Sequence, residues 1–167
     1  LFYGAIYTIW LKRKSIWNIV IGGLAGSFAT LAGSAAVSPI ITPEAVVLSV
    51  ILFLWTPPHF WSLAMAIGGD YKKAGIPMLP NTLSNSLTSY IILFHTIILV
   101  FVTTLLMLYN SSILYIMAIF IGGGYFIWTS ILLAIKKTKS AAMKNFFGSF
   151  VQLGLLLILI IIDGIII

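Results

Sequence analysis

The chain has 167 residues, of which 61% are hydrophobic and only 7% are charged. A soluble globular domain carries about 25% charged residues, so this chain lacks the polar shell that water requires and is predicted to be an integral membrane protein. Its net charge of +6 lies in short segments between apolar runs, which favours membrane lipid rather than nucleic acid as the partner, and the lack of cysteine excludes disulfides and thiolate metal sites.

Apolar runs of about 20 residues, the length of a membrane-spanning helix, divide the chain. Residues 1–10 are apolar and aromatic, and we expect them to be the end of a helix that begins before Leu1. Five full spans follow, at residues 18–37, 45–67, 87–109, 113–135 and 145–167. The predicted fold class is therefore an all-α polytopic transmembrane helical bundle, with residues 1–167 in a single transmembrane domain.

Basic residues are confined to alternate connections between these spans. They are Lys12, Arg13, Lys14, Lys72, Lys73, Lys136, Lys137, Lys139 and Lys144. The connections at residues 38–44 and 110–112 contain none. Because basic loops remain on the cytoplasmic side, this alternation supports the division into spans and predicts that the three basic connections face the cytoplasm.

Small residues mark two sites of close helix packing. Gly22, Gly26, Ala29 and Gly33 recur at spacings of three and four in the first full span, and residues 122–124 are three consecutive glycines. Small side chains let a neighbouring backbone approach closely within a membrane. We interpret both features as bundle packing.

The connection from Asp70 to Pro80 is the first candidate site. A carboxylate at a membrane surface can hold Mg²⁺ together with the phosphate oxygens of a substrate, and Lys72 and Lys73 add charges that suit a diphosphate. Gly75, Pro77 and Pro80 predict a shaped loop. The alternative is a solvated turn that carries only the usual topogenic charge.

The segment from Trp55 to Trp61 (Trp-Thr-Pro-Pro-His-Phe-Trp) is the second candidate site. Its two prolines remove backbone donors and predict a kink within the span. His59 lies about nine residues from the basic end, roughly 14 Å along a helix, where a polar side chain is costly unless it faces the bundle interior. Either it contributes to a substrate pocket with Trp55, Phe60 and Trp61, or it is a packed histidine bonded to a neighbouring helix.

Four further polar positions have weaker patterns. His95 lies at a similar depth, where it could join His59 around a planar macrocycle or be a satisfied packing residue. Tyr7 fits an interface anchor or a substrate contact, and Asn18 fits helix-to-helix bonding or substrate contact. Asp163 lies near the opposite end of the bundle, so we assign it no catalytic part.

Four stretches together resemble the haem O synthase branch of the UbiA-type intramembrane prenyltransferases. They are Tyr7-Thr-Ile-Trp-Leu-Lys-Arg13, Asn18-Ile-Val-Ile-Gly-Gly23, Trp55-Thr-Pro-Pro-His-Phe-Trp61 and Asp70-Tyr-Lys-Lys-Ala-Gly-Ile-Pro-Met-Leu-Pro80. Their order and spacing match the family up to about Pro80, and the Pro-Pro-His-Phe and Ala-Gly-Ile-Pro-Met-Leu elements point to the haem branch. Beyond Pro80 the likeness is in hydropathy and helix number.

This resemblance implies a nine-helix fold with two aspartate-rich inner loops, of which the second corresponds to the Asp70 region and the first would precede Leu1. It implies transfer of a farnesyl group from farnesyl diphosphate to a vinyl group of haem b, in a prokaryotic plasma membrane or a mitochondrial inner membrane. Haem A synthase and terminal oxidase assembly factors are the implied protein partners. A chain without the first loop is expected to be inactive alone.

The resemblance also assigns roles to the candidate residues. Asp70 would hold Mg²⁺ through the diphosphate, which Lys12, Arg13 and Lys73 would help to neutralise. His59 would act as a base or orient haem b beside Trp55, Phe60 and Trp61. The remaining expected substrate contacts are Tyr7, Asn18 and Tyr71.

Two departures and two rival functions accompany this interpretation. A basic and an acidic residue are expected before Asp70, where this chain has Ile67, Gly68 and Gly69. The family's Pro-Pro pair and Trp are replaced by Ala29, Thr30 and Ser34.

The first rival function is a prenyltransferase that acts on a quinone precursor or lipid. The second is a non-catalytic transporter or haem-assembly protein, for which the 55–61 segment would be part of a substrate path.

Overall fold

The computed structural model describes residues 14–166. Its helices are α1 (Asn18–Val37), α2 (Pro43–Lys73), α3 (Leu79–Thr82), α4 (Asn85–Thr104), α5 (Ile113–Met117), α6 (Gly123–Lys136) and α7 (Lys139–Ile166). A 3₁₀ turn (Leu105–Leu108) extends α4, and a π-helical turn (Ala118–Gly122) joins α5 to α6. Five of the resulting helical segments are long and apolar enough to cross a membrane, which confirms the predicted all-α polytopic bundle.

The expected helix end at residues 1–10, the site predictions for Tyr7, Lys12 and Arg13, and the last residue of the predicted final span lie outside the described residues.

Hydroxyl side chains set the start of three helices. Thr42, Ser84 and Ser112 each precede a helix and accept a hydrogen bond from the backbone N–H three residues later. This contact satisfies one of the free amides of the first turn. Pro43 in the first turn of α2 needs no backbone donor there, and Glu44 beside it complements the positive end of the helix dipole.

Two helices are longer than their apolar runs predicted. Helix α2 continues to Lys73 rather than ending at residue 67, and α7 begins at Lys139 rather than at residue 145. Hydropathy marks only the part of a helix that lies within hydrocarbon, whereas lysine and alanine favour helix beyond it. Asp70 therefore lies in the last turns of a helix, and the predicted loop begins only after Lys73.

The predicted kink at the proline pair is in a different place. Helix α2 runs through Pro57 and Pro58, and the residue with non-helical backbone angles is Ile67 (φ −122°, ψ 26°). Thr56 and Ser62 donate their hydroxyls to the Leu52 and Pro58 carbonyls, four residues earlier in the same helix. Both prolines are buried, so packing against neighbouring helices holds this part of α2.

Helix α2 is the centre of the described bundle. It packs against α1, α4 and α7, and α6 completes the group by packing against α4 and α7. The neighbours run antiparallel, because residue numbers rise along one helix as they fall along the other: Gly23 faces Thr56 and Ser27 bonds Ser49, and Gly122 faces Gln152 and Thr129 bonds Asn145. One buried apolar cluster around Phe126 fills the half of the bundle near the chain turn at 109–112, and another around Trp61 fills the opposite half.

Glycines allow the close approaches that the sequence predicted, although not at every position. A Cβ atom on Gly122 would lie 3.1 Å from the Gln152 Cα atom, whereas one on Gly124 would meet nothing within 4 Å. On α1, a Cβ on Gly23 would lie 3.2 Å from the Thr56 side chain, and the space beside Gly33 is open. Gly26, which belongs to the predicted stripe, is also closely packed, because a Cβ there would lie 3.3 Å from Leu52 Cδ2.

The antiparallel order places the described lysines at one end of the bundle, which we call the basic end: the start of α1, the end of α2, and the α6–α7 connection. Two of the three acidic residues of the chain, Glu44 and Asp163, lie at the other end. Asp163 is buried and its Oδ2 atom accepts a 2.6 Å hydrogen bond from Asn110 Nδ2. A partner of this kind satisfies a carboxylate near the end of a spanning helix.

Candidate functional site

The loop at the basic end is shaped by the way α2 terminates. Gly75 has a φ of +67°, a left-handed conformation that suits glycine. Its N–H donates to the Lys72 carbonyl, and the Ile76 N–H donates to the Tyr71 carbonyl. These are the two bonds of a Schellman cap, and Tyr71 and Ile76 pack together on the same apolar cluster as this cap requires. The sequence Tyr-Lys-Lys-Ala-Gly-Ile thus turns the chain sharply back under the bundle.

Asp70 and the lysines occupy neighbouring depressions on this surface. Asp70 is exposed, and it borders a cavity of about 200 Å³ with an apolar lining that includes Tyr71 and Ile76. Lys14 and Lys72 line a second cavity, of about 340 Å³, which also includes Ile76. The two cavities thus adjoin at Ile76, so Asp70 and the two lysines lie on neighbouring parts of the surface at the basic end.

Asn18 fastens this loop to the bundle. Its side chain is fully buried, and its Nδ2 atom donates a 2.8 Å hydrogen bond to the carbonyl oxygen of Pro77. Proline 77 lies in the extended stretch before α3, where Met78 is also fully buried. Asn18 therefore bonds loop backbone at the candidate site.

His59 lies in an aromatic cluster between α2 and α7. Its ring stacks on Trp55 with 4.0 Å between centroids, and Phe60, Phe146 and Phe150 surround it at 4.5–5.0 Å. Its Nδ1 atom lies 2.7 Å from Ser149 Oγ. The Trp55 indole N–H donates to the Ser149 carbonyl oxygen at 2.9 Å. His59 thus has the contacts of a packed histidine, while its aromatic surroundings are those expected of an apolar substrate pocket.

The structure separates the predicted aromatic residues of this segment. Phe60 packs toward α1, on the cluster that includes Met78 and Tyr71. Trp61 is buried in another cluster, where it contacts His95 edge-on at 5.1 Å. Of the three, Trp55 and Phe60 contact the His59 ring, and Trp61 packs with His95 on the α4 side.

A buried polar network next to His59 was not predicted. Asn145 on α7 donates to Ser62 Oγ at 2.8 Å and accepts from Thr129 and Ser130 at 2.8 and 2.9 Å, and Ser130 Oγ also lies 3.0 Å from Thr96 Oγ1. The network joins α2, α4, α6 and α7. An asparagine close to an apolar run was the one signal in the sequence that could have indicated it.

The two glycines before Asp70 have different surroundings. A Cβ on Gly68 would lie 2.8 Å from Asn81 Oδ1, whereas one on Gly69 would meet nothing within 4 Å. Both line a cavity of about 210 Å³ together with Asn81, Lys137 and Lys139. Lys137 and Lys139 therefore adjoin the candidate site, whereas their sequence positions had indicated only a role in membrane topology.

The residues present fit Mg²⁺ only if substrate phosphates supply part of its ligands. The chain has three acidic residues, and Asp70 is the one at the basic end. Within residues 14–166 no group of three or more histidine or acidic side chains could hold a metal ion. Because Mg²⁺ is commonly held by one or two carboxylates together with substrate phosphates, Asp70 fits as one ligand of a Mg²⁺–diphosphate complex.

A helical membrane bundle with this basic face and this aromatic cluster belongs to a known class. The chain belongs to the UbiA prenyltransferase family, whose model matches residues 1–152.

Its relatives include a protein of Paramagnetospirillum magneticum named protoheme IX farnesyltransferase 2, which is 51% identical over 96% of this chain and 56% of the relative. Proteins named protoheme IX farnesyltransferase from Neorickettsia sennetsu and Trichormus variabilis are each 42% identical over 98% of the chain, and over 54% and 52% of their own lengths. The chain thus spans about half the length of these relatives. No solved structure matches it.

Proposed function

We propose that this chain forms part of a protoheme IX farnesyltransferase, which transfers farnesyl from farnesyl diphosphate to a vinyl group of haem b and so makes haem O. The observation that carries the proposal is the 51% identity, over nearly the whole chain, to a relative of that name. The Pro-Pro-His-Phe segment and the segment from Asp70 to Pro80 lie within this matched length. Activity requires the full-length protein in this proposal.

Departure of the diphosphate is assigned to the basic end. Diphosphate leaves as an anion, so its loss is favoured by Mg²⁺ and by fixed positive charge. Asp70 would position the metal, and Lys73, Lys12 and Arg13 would neutralise the phosphates. Bound Mg²⁺ supplies charge neutralisation at the leaving group. The hydrogen bond from Asn18 to Pro77 supports this assignment because it fixes the loop that follows Lys73 against α1.

Attack by the vinyl group is assigned to the aromatic cluster. The farnesyl allylic cation forms as the diphosphate bond breaks, and it needs a water-poor pocket with π faces. The vinyl carbon of haem b then bonds the farnesyl carbon, and the cation left on the macrocycle takes up hydroxide from water. His59 would accept the proton released by that water or orient the haem, and Trp55, Phe60 and Trp61 would contact the substrates.

The location we propose is a prokaryotic plasma membrane, or the mitochondrial inner membrane if the protein is eukaryotic, with the basic loops and the active site on the cytoplasmic side. Haem A synthase and terminal oxidase assembly factors are the proposed partners. Supporting the orientation, the described lysines share one end of the bundle.

The test is conversion by the purified full-length protein in nanodiscs. Haem b should disappear into a farnesylated, hydroxylated product only when farnesyl diphosphate and Mg²⁺ are both added, as measured by extraction and mass spectrometry. Conversion of 4-hydroxybenzoate instead would identify a quinone-type prenyltransferase. Binding of haem b without any product would support a non-catalytic role.

Sidedness has a separate test, because this chain has no cysteine. In a cysteine-free full-length background, Ser140→Cys at the basic end should be protected from an impermeant thiol reagent in intact cells, and Ser111→Cys at the other end should react. The reverse pattern would remove the proposed site from the cytoplasmic side.

A further inference from the structure

The hydrogen bonds around Ser149 bear on the protonation of His59. A serine hydroxyl has one proton to donate. The Ser149 hydroxyl donates it to the Phe146 carbonyl oxygen at 2.6 Å, and the same oxygen lies 2.7 Å from His59 Nδ1. With its proton directed to Phe146, Ser149 Oγ is left as an acceptor, so the hydrogen at the His59 contact must come from Nδ1.

We propose that Ser149 is a positioning residue, which holds His59 as the Nδ1–H tautomer and thereby presents the unprotonated Nε2 atom, with its electron pair, to the substrate. This inference rests on the proposed function only for the identity of the substrate. A neutral imidazole is a donor at one nitrogen and an acceptor at the other, so fixing the proton on Nδ1 fixes the lone pair on Nε2.

The surroundings of the ring support this role, because they fix its orientation as well as its tautomer. Trp55 stacks on the imidazole and is itself fixed by its bond to the Ser149 carbonyl. Phe146 and Phe150 cover the ring from α7. Within the described chain, the one hydrogen bond of the His59 side chain is that to Ser149. Helix α7 therefore supplies the Ser149 hydroxyl, the Phe146 carbonyl that accepts its proton, and two of the aromatic contacts to the ring.

An Nε2 electron pair can serve either of two acceptors in haem chemistry. It can bind the iron of haem b, since histidine ligands commonly donate their other N–H to a fixed acceptor. It can instead take a proton from the water that adds in the last step. Both roles need the same tautomer, and a haem-binding spectrum distinguishes them. If His59 ligates the iron, the Soret band of bound haem b shifts, and His59→Ala removes the shift. If His59 acts as a base, His59→Ala leaves the Soret band unchanged.

Nitrogen NMR of the histidine ring tests the tautomer directly. In full-length protein labelled with ¹⁵N-histidine, the signals lost in His59→Gln assign the ring. We expect a protonated Nδ1 and an imine-type Nε2 at neutral pH. A protonated Nε2 would overturn the inference, whether or not the protein makes haem O. Because this measurement uses the unmodified protein, it does not depend on how any Ser149 variant folds.

Variants of Ser149 then test its effect on the reaction. Ser149→Ala should mix the tautomers and slow haem O formation about tenfold, the effect typical of losing the partner that orients a histidine. The KM for farnesyl diphosphate should stay unchanged, and Ser149→Thr should restore both tautomer and rate. Ser49→Ala is the matched control, since this buried hydroxyl, among residues 14–166, bonds the Ser27 carbonyl alone.

The outcomes separate this inference from the proposed function. If His59 is protonated at Nδ1 and Ser149→Ala changes that tautomer, but the full-length protein makes no haem O, the inferred tautomer is supported and the proposed farnesyltransferase function is rejected. Haem O formation with an unchanged rate and tautomer in Ser149→Ala would support the function and overturn the role of Ser149.

Discussion

The Nδ2 atom of Asn18 donates a 2.8 Å hydrogen bond to the carbonyl oxygen of Pro77, which ties the first turn of α1 to the loop that follows Asp70. The two residues are 59 positions apart in the chain. The bond gives the loop a fixed position that its glycine and prolines alone cannot give, because those residues set only the local backbone.

Asn18→Asp should loosen this loop. The substitution keeps the shape but replaces the donor with an acceptor that faces the Pro77 carbonyl, and an unsatisfied buried group costs about 1–3 kcal/mol. We expect a higher KM for farnesyl diphosphate and faster proteolysis after Lys72 or Lys73. Ser38→Ala, a loss of hydroxyl bonding at the other end of the bundle, is the control and should change neither.

Asp70→Asn should abolish most turnover while the protein stays folded. The side chain is exposed, so little stability depends on it, but a neutral amide is a poor Mg²⁺ ligand. Loss of one transition-state stabiliser typically costs about 100–1,000-fold in kcat, which product extraction can measure. Glu44→Gln changes the same charge at the other end and should leave the rate unaltered. Equal rates for both variants would exclude Asp70 from the metal site.

Asn145→Leu should lower the stability of the bundle. The residue makes hydrogen bonds to Ser62, Thr129 and Ser130, and interhelical bonds within membranes contribute about 0.6 kcal/mol each on average, so about 2 kcal/mol is expected in total. Gln152→Leu is the control on the same helix, since Gln152 is also buried but its Oε1 atom has no hydrogen-bond partner among residues 14–166. Thermal unfolding in detergent should show a larger decrease in the unfolding midpoint for Asn145→Leu than for Gln152→Leu. Equal decreases would contradict a stabilising role of the hydrogen-bond network.

Gly122→Ala should also destabilise the protein, by about 1–3 kcal/mol, because the new methyl group would press on the Gln152 backbone, which cannot rotate away. Gly124→Ala, two residues along the same span, adds a methyl group in open space. It should be neutral or slightly stabilising, because alanine favours helix over glycine. The measurement is the thermal unfolding midpoint of both variants in the same detergent, which should be lower for Gly122→Ala than for Gly124→Ala.

Sequence patterns predicted the helices better than their ends. The bounds of α1 were predicted as observed, since its apolar run is bordered by residues that leave the helix. For α2 and α7 the charged ends were missed, because lysines and Asp70 are polar yet helical. The candidate residues Asp70, Lys73 and His59 were predicted from charge and from the cost of a polar group in a membrane. Ser149 and Asn145 were not, because serine and asparagine near an apolar run show no partner in sequence.

By itself, then, the sequence determined a helical membrane bundle, the division of charge between its ends, and the close glycine contacts, because each follows from local composition and spacing. Only the tertiary structure decided which side chains meet. His59 reaches Ser149 across 90 residues, and Trp61 packs away from His59 although it is two residues distant. The reason is helical geometry: neighbours in sequence project from different faces, and contacts across a bundle depend on how helices pack.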